Sequence, residues 1–332
     1  MKQKITSAIN KFELNLGGKT VLTEAATGNY VVTPIIAALA GANVYAYTRN
    51  SKYGTVTEVK NQTLKLANEL SISNNITIID NLELAPLSEI NIVTNTGFIR
   101  PINNSLIDKL NPNCVIPLMW EPWEFRPQEI DIDACIKKGI KIYGTNESDP
   151  RLKTMDYLGF IVLYWLLEKK ISPFSGNILI VGTKNFTGPI YNTLSKLSYR
   201  VIAQNDYNES ININEVNCII VAEYKSDRMI IGGPGAYIQK NEVEDQLIIH
   251  ISGNIDLTGY SNCVPNSPKP YPYMSFTTDF IDNRAVVDLH TAGLKVAEGM
   301  LAANKRNLLG MDYKEFMESN YPALAFNDKK YW

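Results

Sequence analysis

The sequence predicts an α/β protein of two doubly wound domains with parallel sheets. Three observations carry that expectation. Short β-rich runs alternate with helical patterns along the chain, the signature of helices layered on a mostly parallel sheet. The 332 residues exceed the roughly 100–200 of one domain. A second α/β series also begins afresh after Ser175-Gly176.

In the first half, strands are expected at 19–25, 43–48, 76–80, 90–95, 114–120 and 140–144, with helices at 30–40, 56–70, 104–110 and 130–138. The run MDYLGFIVLYWLLEKK (155–170) is apolar on nearly every face, so it should be a helix buried on all sides, as between two domains. Strands then follow at 177–182, 199–204, 218–223 and 246–252, with a helix near 188–197. Residues 262–273 carry four prolines and read as a loop, because proline lacks the donor that a helix or central strand needs. Residues 286–305 form one long helix. An aromatic tail, 320–332, follows as a candidate subunit contact.

Composition narrows the function classes. Apolar residues make up 45% and charged residues 20%, as in ordinary globular proteins. Thirty-two basic against 34 acidic residues give a net charge of −2, which argues against a nucleic-acid partner. Cys114, Cys135, Cys218 and Cys263 form no CxxC pair, which argues against zinc and against a disulfide framework. The first residues lack the apolar core of a signal peptide, and the most apolar stretch is half the length of a membrane span. A cytoplasmic protein without membrane contact is expected.

The unit NILIVG-TKNFTG-PIYNTLSKL-SYRVIAQND (177–206) reads as strand, turn, helix, strand. A glycine after the first strand permits a tight turn, and the next helix N-terminus offers free N–H groups to a diphosphate. Gly182 fills the first glycine position, but Lys184 and Thr187 stand at the other two, and Gly188 comes one place late. A β-carbon at 184 should push a ligand outward unless the longer loop re-routes the chain. Asn205 and Asp206 stand where an acidic residue would hold the ribose. With Asn185 and Phe186, these are the candidate cofactor residues of the turn. A strand–turn–helix needs a glycine in any case, so the same residues also read as plain structure.

The stretch EIDIDACIKKGIKIYGTN (129–146) resembles the D-isomer-specific 2-hydroxyacid dehydrogenases, the family that includes formate and phosphoglycerate dehydrogenases. So do NIVTNTGFIRPINNSLIDKLNPNCVI (91–116), CIIVAEYKSDRMIIGG (218–233) and DLHTAGLKVAEGML (288–301), in that family's order of landmarks. Residues 17–80 look closer to the substrate domain of S-adenosylhomocysteine hydrolase, a distant relative of the same layout. The resemblance implies two Rossmann-like domains joined by two interdomain helices. A substrate domain would comprise 1–152 plus 291–332, and a dinucleotide domain 153–290. It also implies NAD or NADP as cofactor, a small-molecule substrate in the cleft and a homodimer.

Two family features are missing. The loop MWEPWEFRP (119–127) replaces a Gly-rich carboxylate cradle, and Ser252 stands before Gly253 where the family carries its catalytic arginine. The expected substrate is therefore an amino, imino or larger biosynthetic intermediate rather than a simple 2-hydroxy acid.

By the resemblance, His290 is the expected acid/base, since imidazole exchanges protons near working pH; it also reads as a helix cap. His250 ends a strand toward the cofactor crevice and is a second candidate, or a core histidine satisfied by backbone. Ser252 and Gly253 would touch the nicotinamide. Asn95 and Arg100 after one strand, and Trp120, Glu121, Glu124 and Arg126 in the aromatic loop, are the expected substrate contacts. Thr27-Gly28-Asn29 could hold an anion or simply cap a helix. Glu147 and Asp149 are expected to be solvated or to cap the following helix. The competing expectation is a metabolite-binding protein on the same scaffold without net redox chemistry, with or without retained NAD.

Overall fold

A computed structural model describes residues 1–243 and 245–328. The last four residues of the aromatic tail, Lys329 to Trp332, lie outside these. The chain forms two compact units, Met1–Leu152 with the segment from Arg284 onward, and Lys153–Asn283.

Unit 1 begins with α1 (Lys2–Phe12), β1 (Thr20–Glu24), α2 (Val32–Leu39), β2 (Asn43–Tyr47), α3 (Val56–Glu69), β3 (Ile76–Ile79), β4 (Ile92–Val93), α4 (Asn104–Ile107), β5 (Val115–Pro117), α5 (Ile132–Lys138) and β6 (Lys141–Thr145). Unit 2 holds α6 (Asp156–Glu168), β7 (Asn177–Gly182), α7 (Lys184–Ser195), β8 (Arg200–Gln204), β9 (Cys218–Ala222), β10 (Met229–Gly232), β11 (Ile238–Gln239), β12 (Leu247–Ser252), β13 (Asn254–Ile255) and β14 (Cys263–Val264). The chain returns to unit 1 with α8 (Arg284–Lys305), α9 (Gly310–Asn320) and β15 (Ala323–Leu324).

The sheet of unit 1 runs β15-β6-β5-β4-β1-β2-β3, parallel except for β15. Its strands bury both faces. Val21 of β1 joins one core with α2 and α8, while Leu22 joins the opposite core beneath α4 and α5, as the two-residue strand period requires. The sheet of unit 2 runs β14-β12-β9-β7-β8, all parallel. In each sheet the strand order reverses beside a central strand, between β1 and β4 and between β7 and β9. Open α/β sheets bind ligands beyond the C-terminal ends of strands at such points.

Several expectations need correction. The helix expected at 188–197 starts at Lys184, with Pro189 inside it. Gly188-Pro189 reads as a helix start because proline suits the first helical position, yet here the chain accepts one missing backbone bond. The helix at 155–170 is not buried on all sides. Leu158, Ile161, Val162 and Leu166 of α6 are buried, but Phe160, Tyr164 and Leu167 are exposed. The chain re-enters unit 1 at Arg284 rather than 291, because α8 is one continuous helix. The proline-rich loop contains the short strand β14. α1, α9 and a small sheet of β11, β10 and β13 answer to no element expected from the sequence. No helix among the described residues is long and apolar enough to cross a membrane.

Candidate functional site

In unit 1 the polar side chains gather where β1 and β4 end. Thr23, Thr94 and Thr96 form a buried hydroxyl cluster, with Oγ1 separations of 2.7 Å for Thr23–Thr94 and 2.8 Å for Thr94–Thr96. Asn95 is fully buried. Its Oδ1 accepts the Met119 N–H at 3.0 Å, and its Nδ2 has no partner. Glu24, the last residue of β1, is 5% exposed, and its Oε2 accepts the Phe98 N–H at 3.1 Å. Burial pushes its carboxyl pKa up, and the Phe98 N–H and the Arg100 charge offset only part of that. Gly97, at φ +33°, makes room for it, since a β-carbon there would fall 1.4 Å from Glu24 Oε2.

Arg100 pairs with Glu129 and lies over the Trp120 ring, 5.2 Å from its centroid. Glu129 Oε2 and Trp120 Nε1 have no partner. In the aromatic loop, Glu121 is buried and takes hydrogen bonds from Trp123 Nε1 and from the Glu147 N–H, the latter at 3.2 Å. Burial, then the Glu121 charge, pushes Glu124 up to about 7. Arg126 is exposed. Glu147 is buried rather than solvated, and Asp149 binds the Arg151 side chain through both oxygens. Thr27 donates to the Tyr53 carbonyl and the Gly28 N–H to Gln62, so that turn satisfies itself.

His290 projects from α8 and is 5% exposed. Its Nδ1 lies 2.6 Å from Thr33 Oγ1, and the Tyr30 ring is 5.8 Å away between centroids. No partner for Nε2 exists among the described residues. Burial lowers the pKa to about 4, so the ring is neutral at pH 7. It sits on the second turn of α8 and is not a cap.

The crevice of unit 2 is filled by its own chain. Glu223, directly after β9, is 3% exposed. Its carboxylate accepts from Thr183 Oγ1 at 2.6 Å, from the N–H groups of Lys225 (2.7 Å) and Ser226 (3.0 Å), and from the Tyr207 hydroxyl. Gly182, at φ +149°, lets this segment approach, since a β-carbon would lie 2.1 Å from the Ala222 carbonyl oxygen. Gly253, directly after β12, packs against the same glutamate. Phe186 is buried and stacks on Tyr224 at 5.0 Å, and Arg228 covers Tyr207 at 4.9 Å.

Lys184 and Asn185 lie exposed on the first turn of α7. Asn205 is exposed, and its amide donates to the Gly182 carbonyl at 2.6 Å and to Thr187 Oγ1 at 2.8 Å. Asp206 accepts the N–H of Asn208 in its own turn. His250 is a core histidine. Nε2 lies 2.8 Å from the Gly253 carbonyl oxygen and Nδ1 2.7 Å from Ser275 Oγ, so it has no free nitrogen for acid/base work. Ser252 Oγ is buried without a partner.

Sequence reasoning missed Glu24 and Glu223. A carboxylate closing a run of otherwise uncharged strand-forming residues, TVLTE and CIIVAE, is the signal that could have found both.

No protein-family model matches the chain, and no curated protein matches it. Solved structures do. A dipicolinate synthase chain from Bacillus halodurans is 9% identical, with a TM-score of 0.50 over 86% of this chain and 97% of that one. The corresponding dipicolinate synthase chain from Bacillus subtilis is 12% identical, with a TM-score of 0.51 over 89% and 98%. A 2-hydroxyacid dehydrogenase from Ketogulonicigenium vulgare Y25 is 12% identical, with a TM-score of 0.40 over 88% and 96%. At these identities the likeness is one of fold, two Rossmann-like α/β units.

Proposed function

We propose that the chain is an oxidoreductase in which unit 1 binds a small, amine-bearing substrate and His290 moves its proton. The observation that carries this reading is His290 itself, a buried neutral imidazole with Nδ1 held by Thr33 and Nε2 left over. Such a ring accepts a proton from an alcohol or amine as that group is oxidised, and Thr33 fixes its orientation. Asn95, Arg100, Trp120, Glu121 and Glu124 would surround the rest of the substrate.

NAD or NADP is the cofactor this reading assigns to unit 2; when bound it supplies hydride exchange. The fit is partial. The α7 N-terminus, whose first residues Lys184 and Asn185 are exposed, with the Lys184 charge, suits a diphosphate. At the adenosine end, the Asn205 amide is spent on Gly182 and Thr187 and Asp206 Oδ1 on Asn208, so only part of the ribose-binding capacity expected there is free. That second observation favours an alternative, a non-redox metabolite-binding protein on the same scaffold.

Fluorescence titration with NADH and NADPH tests the cofactor, and net oxidation or reduction of a substrate then separates the two readings. Binding of either below millimolar supports the redox reading, and binding of neither leaves the alternative. Given turnover, H290N should keep dinucleotide binding and lose about 10²–10⁴ in rate. Unchanged turnover would remove His290 from the mechanism. The reading includes a homodimer outside any membrane, in the cytoplasm, and native mass spectrometry checks the oligomer and any retained cofactor.

A further inference from the structure

Unit 1 has an open cavity at the ligand end of its sheet. β1 and β2 run parallel, with Thr20 opposite Asn43 and Glu24 opposite Tyr47. The chain joins them through a turn at Gly28, where φ is +65°, and through α2. In a nucleotide-binding unit of strand, glycine turn, helix and strand, the residues after the second strand meet the ribose. In unit 2 those residues are Asn205 and Asp206. In unit 1 they are Arg49, Asn50, Ser51 and Lys52, and Arg49 stands about 20 residues past the turn glycine, the usual reach to the sugar. A cavity of about 500 Å³ lies here, walled by Thr27 after β1 and by Ser51, Lys52, Tyr53 and Glu58 after β2. Its walls are fixed by their own hydrogen bonds. Ser51 and Gly54 exchange backbone bonds of 3.0 and 3.2 Å, and Thr27 Oγ1 donates to the Tyr53 carbonyl at 3.0 Å. Ser51 Oγ accepts the Tyr53 N–H at 3.1 Å, which leaves its own proton to donate. Lys52 is exposed, with Nζ 5.0 Å from the centroid of the Tyr53 ring, itself 71% exposed. Arg49 is exposed over the Phe98 ring at 5.1 Å. Neither cation has an ion-pair partner among the described residues. Glu58 spends Oε2 on the Thr55 N–H at 2.7 Å and the Thr55 hydroxyl at 2.9 Å, capping α3.

We propose that this cavity binds a nucleotide phosphorylated on its ribose, as the adenosine end of NADP is. Lys52 and the Ser51 hydroxyl donate to the ribose phosphate, the Tyr53 ring offers stacking area to the base, and Glu58 Oε1 accepts from a remaining sugar hydroxyl. An acid after the second strand would select a free 2′-hydroxyl, whereas a cation selects a phosphate at that position. An unphosphorylated ribose would leave Lys52 unpaired, and a bare phosphate would leave Tyr53 and Glu58 unused. The site goes beyond the redox reading and depends neither on His290 nor on the dinucleotide assignment to unit 2.

The test uses the full chain and a matched pair of probes, adenosine 2′,5′-bisphosphate and adenosine 5′-monophosphate, which differ only in the 2′-phosphate. Calorimetry at fixed salt should show the bisphosphate binding at least about tenfold tighter, the value of one charge-assisted hydrogen bond. K52A should erase that preference and leave the unfolding temperature unchanged, because the Lys52 side chain is exposed. Inorganic phosphate should bind more weakly than the bisphosphate, and equal affinity would make this an adventitious anion site only. Equal binding of the two nucleotides, no bisphosphate binding at millimolar concentration, or a preference that survives in K52A would each overturn the proposal as well. NADH and NADPH titrated into K52A keep the two readings apart. A bisphosphate preference lost in K52A, with neither dinucleotide binding that variant, sinks the redox reading alone. Dinucleotide binding to K52A without any preference that depends on Lys52 sinks this site alone.

Discussion

The two crevices of this molecule begin alike and end differently. In each, a buried strand closes on a glutamate, Glu24 after TVLT and Glu223 after CIIVA, beside the point where strand order reverses. Glu223 receives four donors from its own unit. Glu24 receives one. Around Glu223, Asn205 and His250 are also satisfied, and Ser252 Oγ alone is left over. In unit 1, Asn95 Nδ2, Trp120 Nε1, Glu129 Oε2 and His290 Nε2 remain without partners among the described residues. A chain that pairs its own buried polar groups has built structure, whereas each group left over asks for an explanation of its own.

The sharpest test of this contrast is steric. G182A should cost about 4 kcal/mol or more in denaturant unfolding, because its β-carbon meets the Ala222 backbone in a left-handed conformation. No single side-chain deletion should rescue it. G97A meets a side chain instead, so E24A should recover about 1–2 kcal/mol of its cost in a double-mutant cycle. A G97A penalty that E24A leaves untouched would break the contrast.

E223A should cost about 3 kcal/mol, since it strands buried donors and removes a charged acceptor. E24Q should cost nothing at pH 8. The Glu24 pKa is raised in the folded state, so the wild type loses stability as pH climbs through that value and the glutamine variant does not. If E24Q destabilised as strongly as E223A, the two carboxylates would be equivalent and the contrast would fall.

His290 provides a smaller effect of opposite sign. Its folded pKa of about 4 lies below the unfolded 6.5. Between those values the unfolded chain takes up the proton first, so stability present above pH 6.5 is lost as pH falls toward 4. The loss should approach about 2–3 kcal/mol, and H290N should lack it in pH-dependent urea unfolding. Glu124 should contribute least, through a change in tryptophan fluorescence centred near pH 7 that E124Q abolishes. A midpoint left in place would assign the transition to another group.

The predicted strands lie close to the observed ones because β-branched runs between turn residues leave a buried strand few alternatives. The start of α7 is not legible because Gly188-Pro189 carries every local mark of a helix beginning. The burial of α6 is overstated by its sequence, which, Asp156 aside, is apolar to the last turn on every face, whereas its aromatic side is exposed at Phe160 and Tyr164. The strands β10, β11 and β13 are too short to have a readable period.

The sequence by itself determined two α/β units, the order of their main strands and the two histidines available for chemistry, because these depend on local patterning and on counting. Only the tertiary structure decided that His250 is spent and His290 is not, and that Glu223 is satisfied where Glu24 is not. A side chain's partners come from strands and loops far away in sequence, and hydrogen-bond satisfaction is a property of that three-dimensional neighbourhood.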